Sequence, residues 1–273
     1  MNSIDNSQKI KIISLVLIGL GIIFLIIYCI CLNHDPNLVN FKEKMLKPSF
    51  VHPFGTDHLG RDMLTRILLG SIYTVGYSGL ALIGALIIGI PVGIIAGFIG
   101  GKIDRFFMRI ADAFLSFPDT IIAIILSGLL GPNFINLLIA VVLVKWVSYA
   151  RLVRSTVILE KQKEYVMQAK LNGLNSFQIM KKHLFPHVMG NVFVLASLDL
   201  GKIILLLSAL SYIGLGAQPP TPEWGAMLNE AKANFQSNSL LMIFPGIAII
   251  TVVLFSNLVG DYLRDKYDVK REG

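Results

Sequence analysis

The chain has 273 residues, 54% of them hydrophobic and only 15% charged, whereas an ordinary soluble domain carries about a quarter charged residues. That balance argues against a soluble globular enzyme and for a protein of the membrane. The net charge of +7 does not indicate a nucleic-acid binder, because the basic residues sit in short segments between apolar runs, where they read as topology signals.

In chain order, Lys9 and Lys11 precede an apolar run at 12–32 that exceeds a usual signal-peptide core, and Cys29-Ile30-Cys31 is a poor cleavage site, so a retained signal anchor is expected. The two cysteines point to different helix faces and read as apolar filler rather than a disulfide or metal pair. A bilayer core about 30 Å thick needs about 20 apolar residues of helix. Six segments meet that need: 12–32, part of 71–101, 106–130, 134–150, 188–215 and 240–262. The third and fourth are separated by Gly131-Pro132-Asn133, which is turn chemistry, and the fourth is short and carries Lys145. The expected fold is therefore an all-α polytopic membrane protein with both termini on one side.

Positive charge is retained in the cytosol during insertion. With the N-terminus inside, 16 of the 24 Lys and Arg residues fall in inner segments, 6 in outer ones, and Lys145 and Lys202 within spans. This predicts cytosolic N- and C-termini. The chain divides into a first helix with an outer segment (1–70), a core of five spans carrying a basic inner loop at 151–187 (71–262), and a cytosolic tail (263–273).

Gly89, Gly93, Gly97 and Gly101 recur every four residues and predict a helix face that another backbone approaches closely, most simply within the chain. In the inner loop, 158–171 is helix-permissive, Gly173 offers a left-handed stop, and Asn175 or Ser176 caps a new helix running toward Pro186. From geometry alone this helix-turn-helix is either a docking surface or a solvated connector.

The run Glu164-Tyr165-Val166-Met167-Gln168-Ala169-Lys170-Leu171-Asn172-Gly173, with Ile179, His183 and Pro186 beyond it, resembles the coupling loop of ABC importer permeases. The outer run Phe54-Gly55-Thr56-Asp57-His58-Leu59-Gly60-Arg61-Asp62, followed by Arg66 and Gly70, is similar to that family too. So are Ser211-Tyr212-Ile213-Gly214-Leu215-Gly216 and Pro222-Glu223-Trp224-Gly225. As a set these resemble the second permease of dipeptide, oligopeptide and nickel importers, and the stretch 214–228 looks closest to nickel permeases.

The resemblance implies the type I importer permease fold in a bacterial cytoplasmic membrane. It also implies a sister permease, two cytosolic ATPases holding ATP and magnesium, and an extracytoplasmic binding protein, with no cofactor on this chain. Gly173 would set the turn between coupling helices and Ala169 would pack into the ATPase. Met167 and Gln168 stand where an acidic residue and an alanine are usual, and Phe185 replaces a leucine, departures that bear on which ATPase is matched.

No Walker loop is present: Gly101-Lys102 and Gly201-Lys202 lack the preceding glycine and the following Ser or Thr. His183 and His187 have Leu184 where a zinc protease would place glutamate. His52 and His58 make no recognised metal spacing. Charges within spans point to a solute route, because each costs about 2.5–3.5 kcal/mol unless paired or facing water. Asp199 and Lys202 share a face and either simply neutralise one another or, with Asp119 after the helix-bending Pro118, line the route. Asp57-His58 and Arg61-Asp62 read as local structure ahead of a contact with the binding protein. The rival reading is a stand-alone secondary transporter, against which no internal repeat between the halves is visible.

Overall fold

The first long helix, α1 (Met63–Ile99), begins where the Asp62 carboxylate accepts the backbone N–H of Thr65 at 2.8 Å, and ends at Gly100, whose φ of 73° leaves the helical region. The computed structural model describes residues 35–268, together with residues 19, 21 and 22, so the expected first span at 12–32 lies almost wholly outside the described residues. At about 1.5 Å per residue α1 is about 55 Å long, more than a bilayer core requires.

The expected continuous span at 106–130 is two helices, α2 (Gly101–Leu115) and α3 (Asp119–Leu130), bent by 89°. Pro118 supplies no N–H and disfavours helical geometry at Phe117, so the chain breaks there. α4 (Phe134–Lys161) starts on an Asn133 cap and runs eleven residues past the expected end at Ala150. Its continuation is held by ion pairs to α2, Arg151 with Asp112 and Arg154 with Asp104. A charge ends an apolar run without ending a helix.

After α4 come α5 (Glu164–Leu171) and α6 (Ser176–Tyr212). Two expectations for the loop are corrected. The helix expected over 158–171 is interrupted at Gln162 and Lys163, and the second helix does not stop near Pro186 but passes through it. A wide turn at Met180–Leu184 precedes the proline, opening the backbone where its ring would otherwise crowd the preceding turn. The short α7 (Trp224–Ala231) and the long α8 (Leu240–Asp268) follow, and α8 covers the expected 240–262 span. Among the described residues there is no strand, only an isolated bridge between Thr56 and Asp62.

α1, α3, α4 and α6 meet in a core of Ala81, Ala123, Leu137, Val144, Ile203 and Leu207. α1 and α4 lie closest. A Cβ on Gly89 would sit 2.7 Å from the Trp146 carbonyl and the Tyr149 Cβ, one on Gly93 2.6 Å from the Ala150 carbonyl and the Val153 Cβ, and one on Gly97 2.8 Å from the Arg154 carbonyl. The glycine face is thus packing within the chain, as its simplest reading held. Gly101 is not part of it: it has a φ of 63° and opens α2 in free space. Gly93→Val is expected to destabilise the protein by at least about 1–3 kcal/mol through overpacking, read as a fall in folded yield and unfolding temperature in detergent. Gly76→Ala, where an added Cβ meets nothing among the described residues, is the control and should lower neither.

Candidate functional site

The basic loop forms a rigid hairpin of helices. Val166 and Ala169 of α5 and Ile179, Leu184, Val188 and Val192 of α6 pack on Val153 and Val157 of α4. At the turn, Leu174 N–H donates to the Ala169 carbonyl and Gly173 N–H to that of Lys170, both at 3.1 Å, with Gly173 at a φ of 82°. That is a complete Schellman stop, and it places a residue without Cβ where a left-handed conformation is required. Asn175 and Gln178 then cap α6 reciprocally, at 2.8 and 2.9 Å.

The junction with α4 is built on the buried Glu160 carboxylate, which accepts from Lys163 Nζ at 2.7 Å and from the Tyr165 hydroxyl. The Tyr165 ring lies 5.9 Å from those of His183 and His187. Burial, with the hydrogen bond to Glu160, pushes the Tyr165 hydroxyl above its ordinary range, keeping it a donor. The structure therefore brings Tyr165, Ala169, Gly173, Ile179 and His183 together, with Glu164 and Pro186 exposed at the ends.

One role changes. Ala169, expected to pack into a partner, is only 6% exposed because it faces α4. The outward face instead presents Met167, Leu171 and Phe177, the last two 86% and 66% exposed. The exposure of Leu171 and Phe177 was not foreseen from the sequence. The available signal was the i, i+4 pair Met167 and Leu171, out of phase with Val166 and Ala169.

The charges inside the spans form two pairs rather than one group of three. On α6, Asp199 is buried and accepts from the Tyr149 hydroxyl and from Lys202 Nζ, both at 3.1 Å, while the Lys202 side chain is 64% exposed. Asp119, at the start of α3, accepts instead from Lys145 Nζ at 2.8 Å. Among the described residues no three His, Cys, Asp or Glu side chains converge as metal ligands.

The motif at 54–62 is buried structure. Asp57 accepts from Arg61 Nε at 2.6 Å and from the backbone N–H groups of Leu59 and Arg61. Arg61 and Arg66 both donate to Glu230 Oε2 on α7. Asp62, besides capping α1, lies 2.9 Å from His52 Nδ1. Thr56 Oγ1 accepts from Leu46 N–H, and Gly55 and Gly60 have positive φ at points where a Cβ would run into the Leu46 and Asn40 carbonyls.

Glu223 caps α7 through the N–H groups of Gly225 and Ala226 and accepts from Thr74, and Trp224 Nε1 donates to the Ile67 carbonyl at 2.8 Å. Burial pushes the Glu223 carboxyl up against the opposing pull of these donors. The reading of this motif as local structure extends further than its own segment, since Glu230 ties it to the far end of the sequence.

Residues 89–269 match the family described as binding-protein-dependent transport system inner membrane component. The chain is 39% identical over 237 residues, 87% of its length and 86% of the relative's, to the nickel transport system permease protein NikC of Escherichia coli (strain K12). It is also 39% identical over 263 residues to the dipeptide transport system permease protein DppC of Alkalihalophilus pseudofirmus, covering 96% of this chain and 86% of that one. The glutathione transport system permease protein GsiD of Pectobacterium atrosepticum is 39% identical over 223 residues, 82% and 74% of the two chains. A solved structure of the MetNI methionine ABC transporter in an inward-facing conformation superposes with a TM-score of 0.61 at 16% identity, covering 75% of this chain and 97% of that one.

Proposed function

Because the chain belongs to the family of binding-protein-dependent transport system inner membrane components, and is a non-catalytic, multi-pass permease subunit of an ABC importer with that type I fold, we propose that its helix-turn-helix at Glu164–Phe185 is the cytosolic seat of an ATPase. An importer permease works with an ATPase and a substrate-binding protein. The arrangement proposed here adds a sister permease, a pair of ATPases carrying ATP and magnesium, both termini in the cytosol, and residues 71–262 as the permease core. The observation that carries the reading is the exposed apolar face of Met167, Leu171 and Phe177, held on a stop and cap that leave the loop little freedom. Exposed apolar surface on so ordered an element marks a protein contact.

The solute route runs past Lys202. An exposed ammonium inside a span is costly in lipid and inexpensive beside water, so the Lys202 face of α6 lines the path toward the sister permease. Beyond its bond to Asp199, the exposed Lys202 ammonium keeps further N–H donors for a solute carboxylate, although the pair as a whole is neutral. The solute that fits this reading is nickel or a metal chelate, in keeping with NikC, and a di- or oligopeptide is the alternative, in keeping with DppC. Radiolabelled nickel uptake by cells supplied with a carboxylate chelator should fall at least tenfold in Asp199→Ala plus Lys202→Ala, with the subunit still in the membrane. Unchanged nickel uptake, with dipeptide uptake lost instead, would transfer the assignment to peptides. Normal uptake of both would remove the pair from the route.

A further inference from the structure

α2 is left with a charged face that nothing among the described residues neutralises. Its two acids are used: Asp104 receives Arg154 and Asp112 receives Arg151, both from α4. Its three cations, Lys102, Arg105 and Arg109, are exposed and form no ion pair among the described residues. With Phe106 they border a shallow depression of about 330 Å³. The same side exposes apolar surface, Phe106 at 60% and Ile103 at 40%. Only Gly100 separates this helix from the end of α1, and the 89° break before the apolar α3 turns the chain at its other end, so α2 lies where the spans meet the aqueous phase.

A helix with cations and aromatic or aliphatic residues interleaved on one face, lying beside a bilayer, has the chemistry of an interfacial helix. The apolar side chains enter the boundary between headgroups and acyl chains, and the cations remain level with phosphate. A protein partner would match the charge without accounting for the interleaved Phe106 and Ile103 at that depth. We infer that Lys102, Arg105 and Arg109, with Phe106 between them, bind the phosphate of anionic phospholipids in the inner leaflet. The inference rests on the cytosolic placement proposed above.

The test uses the full chain purified with its partner subunits in detergent and titrated with phosphatidylglycerol or phosphatidylcholine under native mass spectrometry. Each basic residue near an anionic lipid surface contributes about a fivefold gain in binding, so Lys102→Gln/Arg105→Gln/Arg109→Gln should weaken phosphatidylglycerol retention on the order of a hundredfold and leave phosphatidylcholine unchanged. Arg109→Gln alone should give a fraction of that loss, which guards against misfolding of the triple variant.

Millimolar inorganic phosphate should not displace the lipid; full displacement would make the site one for a soluble anion and overturn the proposal. Equal retention by wild type and triple variant would overturn it, as would loss of the ATPase from the triple variant with lipid retained, which would make the face a protein interface. Placement is read separately by labelling Lys102→Cys, in a Cys29→Ser/Cys31→Ser background, with an impermeant maleimide. Reaction in intact cells would reject the cytosolic orientation itself, whatever lipid is retained.

Discussion

Glu230→Ala should cost the folded protein about 3–5 kcal/mol and lower its unfolding temperature in detergent accordingly. The Arg61 and Arg66 side chains are 2% and 1% exposed, and both place a guanidinium on one oxygen of Glu230. Neither can shed its charge, since arginine stays protonated at any ordinary pH. Without Glu230, Asp57 is left to serve both, at 2.6 Å from Arg61 and 3.8 Å from Arg66. One buried positive charge then has no counter-ion. Glu230→Gln keeps an acceptor and should lose less.

The effect should be nearly independent of salt between dilute and physiological buffer, because the pair lies out of reach of mobile ions. If Glu230→Ala unfolds at the wild-type temperature, the network does not hold the α1 entrance to α7.

Glu230 also shows where reading the sequence reaches its limit. Arg61 and Arg66 were visible inside a recognisable run, but a single glutamate more than 160 residues away is anonymous until folding brings it to them. The same holds for Asp119, whose partner Lys145 was noticed only as a flaw in the fourth apolar run. Apolar length located α1, α6 and α8 well, because lipid demands it of any spanning helix. It cut α4 short at Arg151, since a local reading cannot see that α2 supplies acids for Arg151 and Arg154. Pro118 disfavours a straight helix, but whether the chain tilts or turns through 89° depends on what the two halves pack against. In the basic loop the turn was legible because Gly173 and Asn175 act on their immediate neighbours. Which face looked outward depended on α4 and was not.

Leu171→Asp plus Phe177→Asp should abolish ATP-driven uptake while leaving insertion, yield and unfolding temperature near wild type. Both side chains are largely exposed in the isolated chain, so replacing them removes little that holds it together. Burying each against an ATPase is worth about 1.5–3 kcal/mol, so losing both weakens association by at least a hundredfold, and a carboxylate in an apolar contact adds its own desolvation cost. Ala169→Asp makes the contrast sharp. At 6% exposed it would place a charge among Val153, Val157 and Ile179, and should fail by unfolding the loop rather than by shedding the partner.

Co-purification of the ATPase and uptake into liposomes, measured on the same preparations, separate these outcomes. Full uptake by a well-folded double variant would mean that force from ATP enters the permease elsewhere, and the exposed face would then need another partner. A folded variant that has lost both the ATPase and uptake would locate the entry point on α5 and the first turn of α6. There the rigid stop at Gly173 and the packing on Val153 and Val157 give a push on the hairpin a direct path into α4 and α6, the helices that carry Lys145, Asp199 and Lys202.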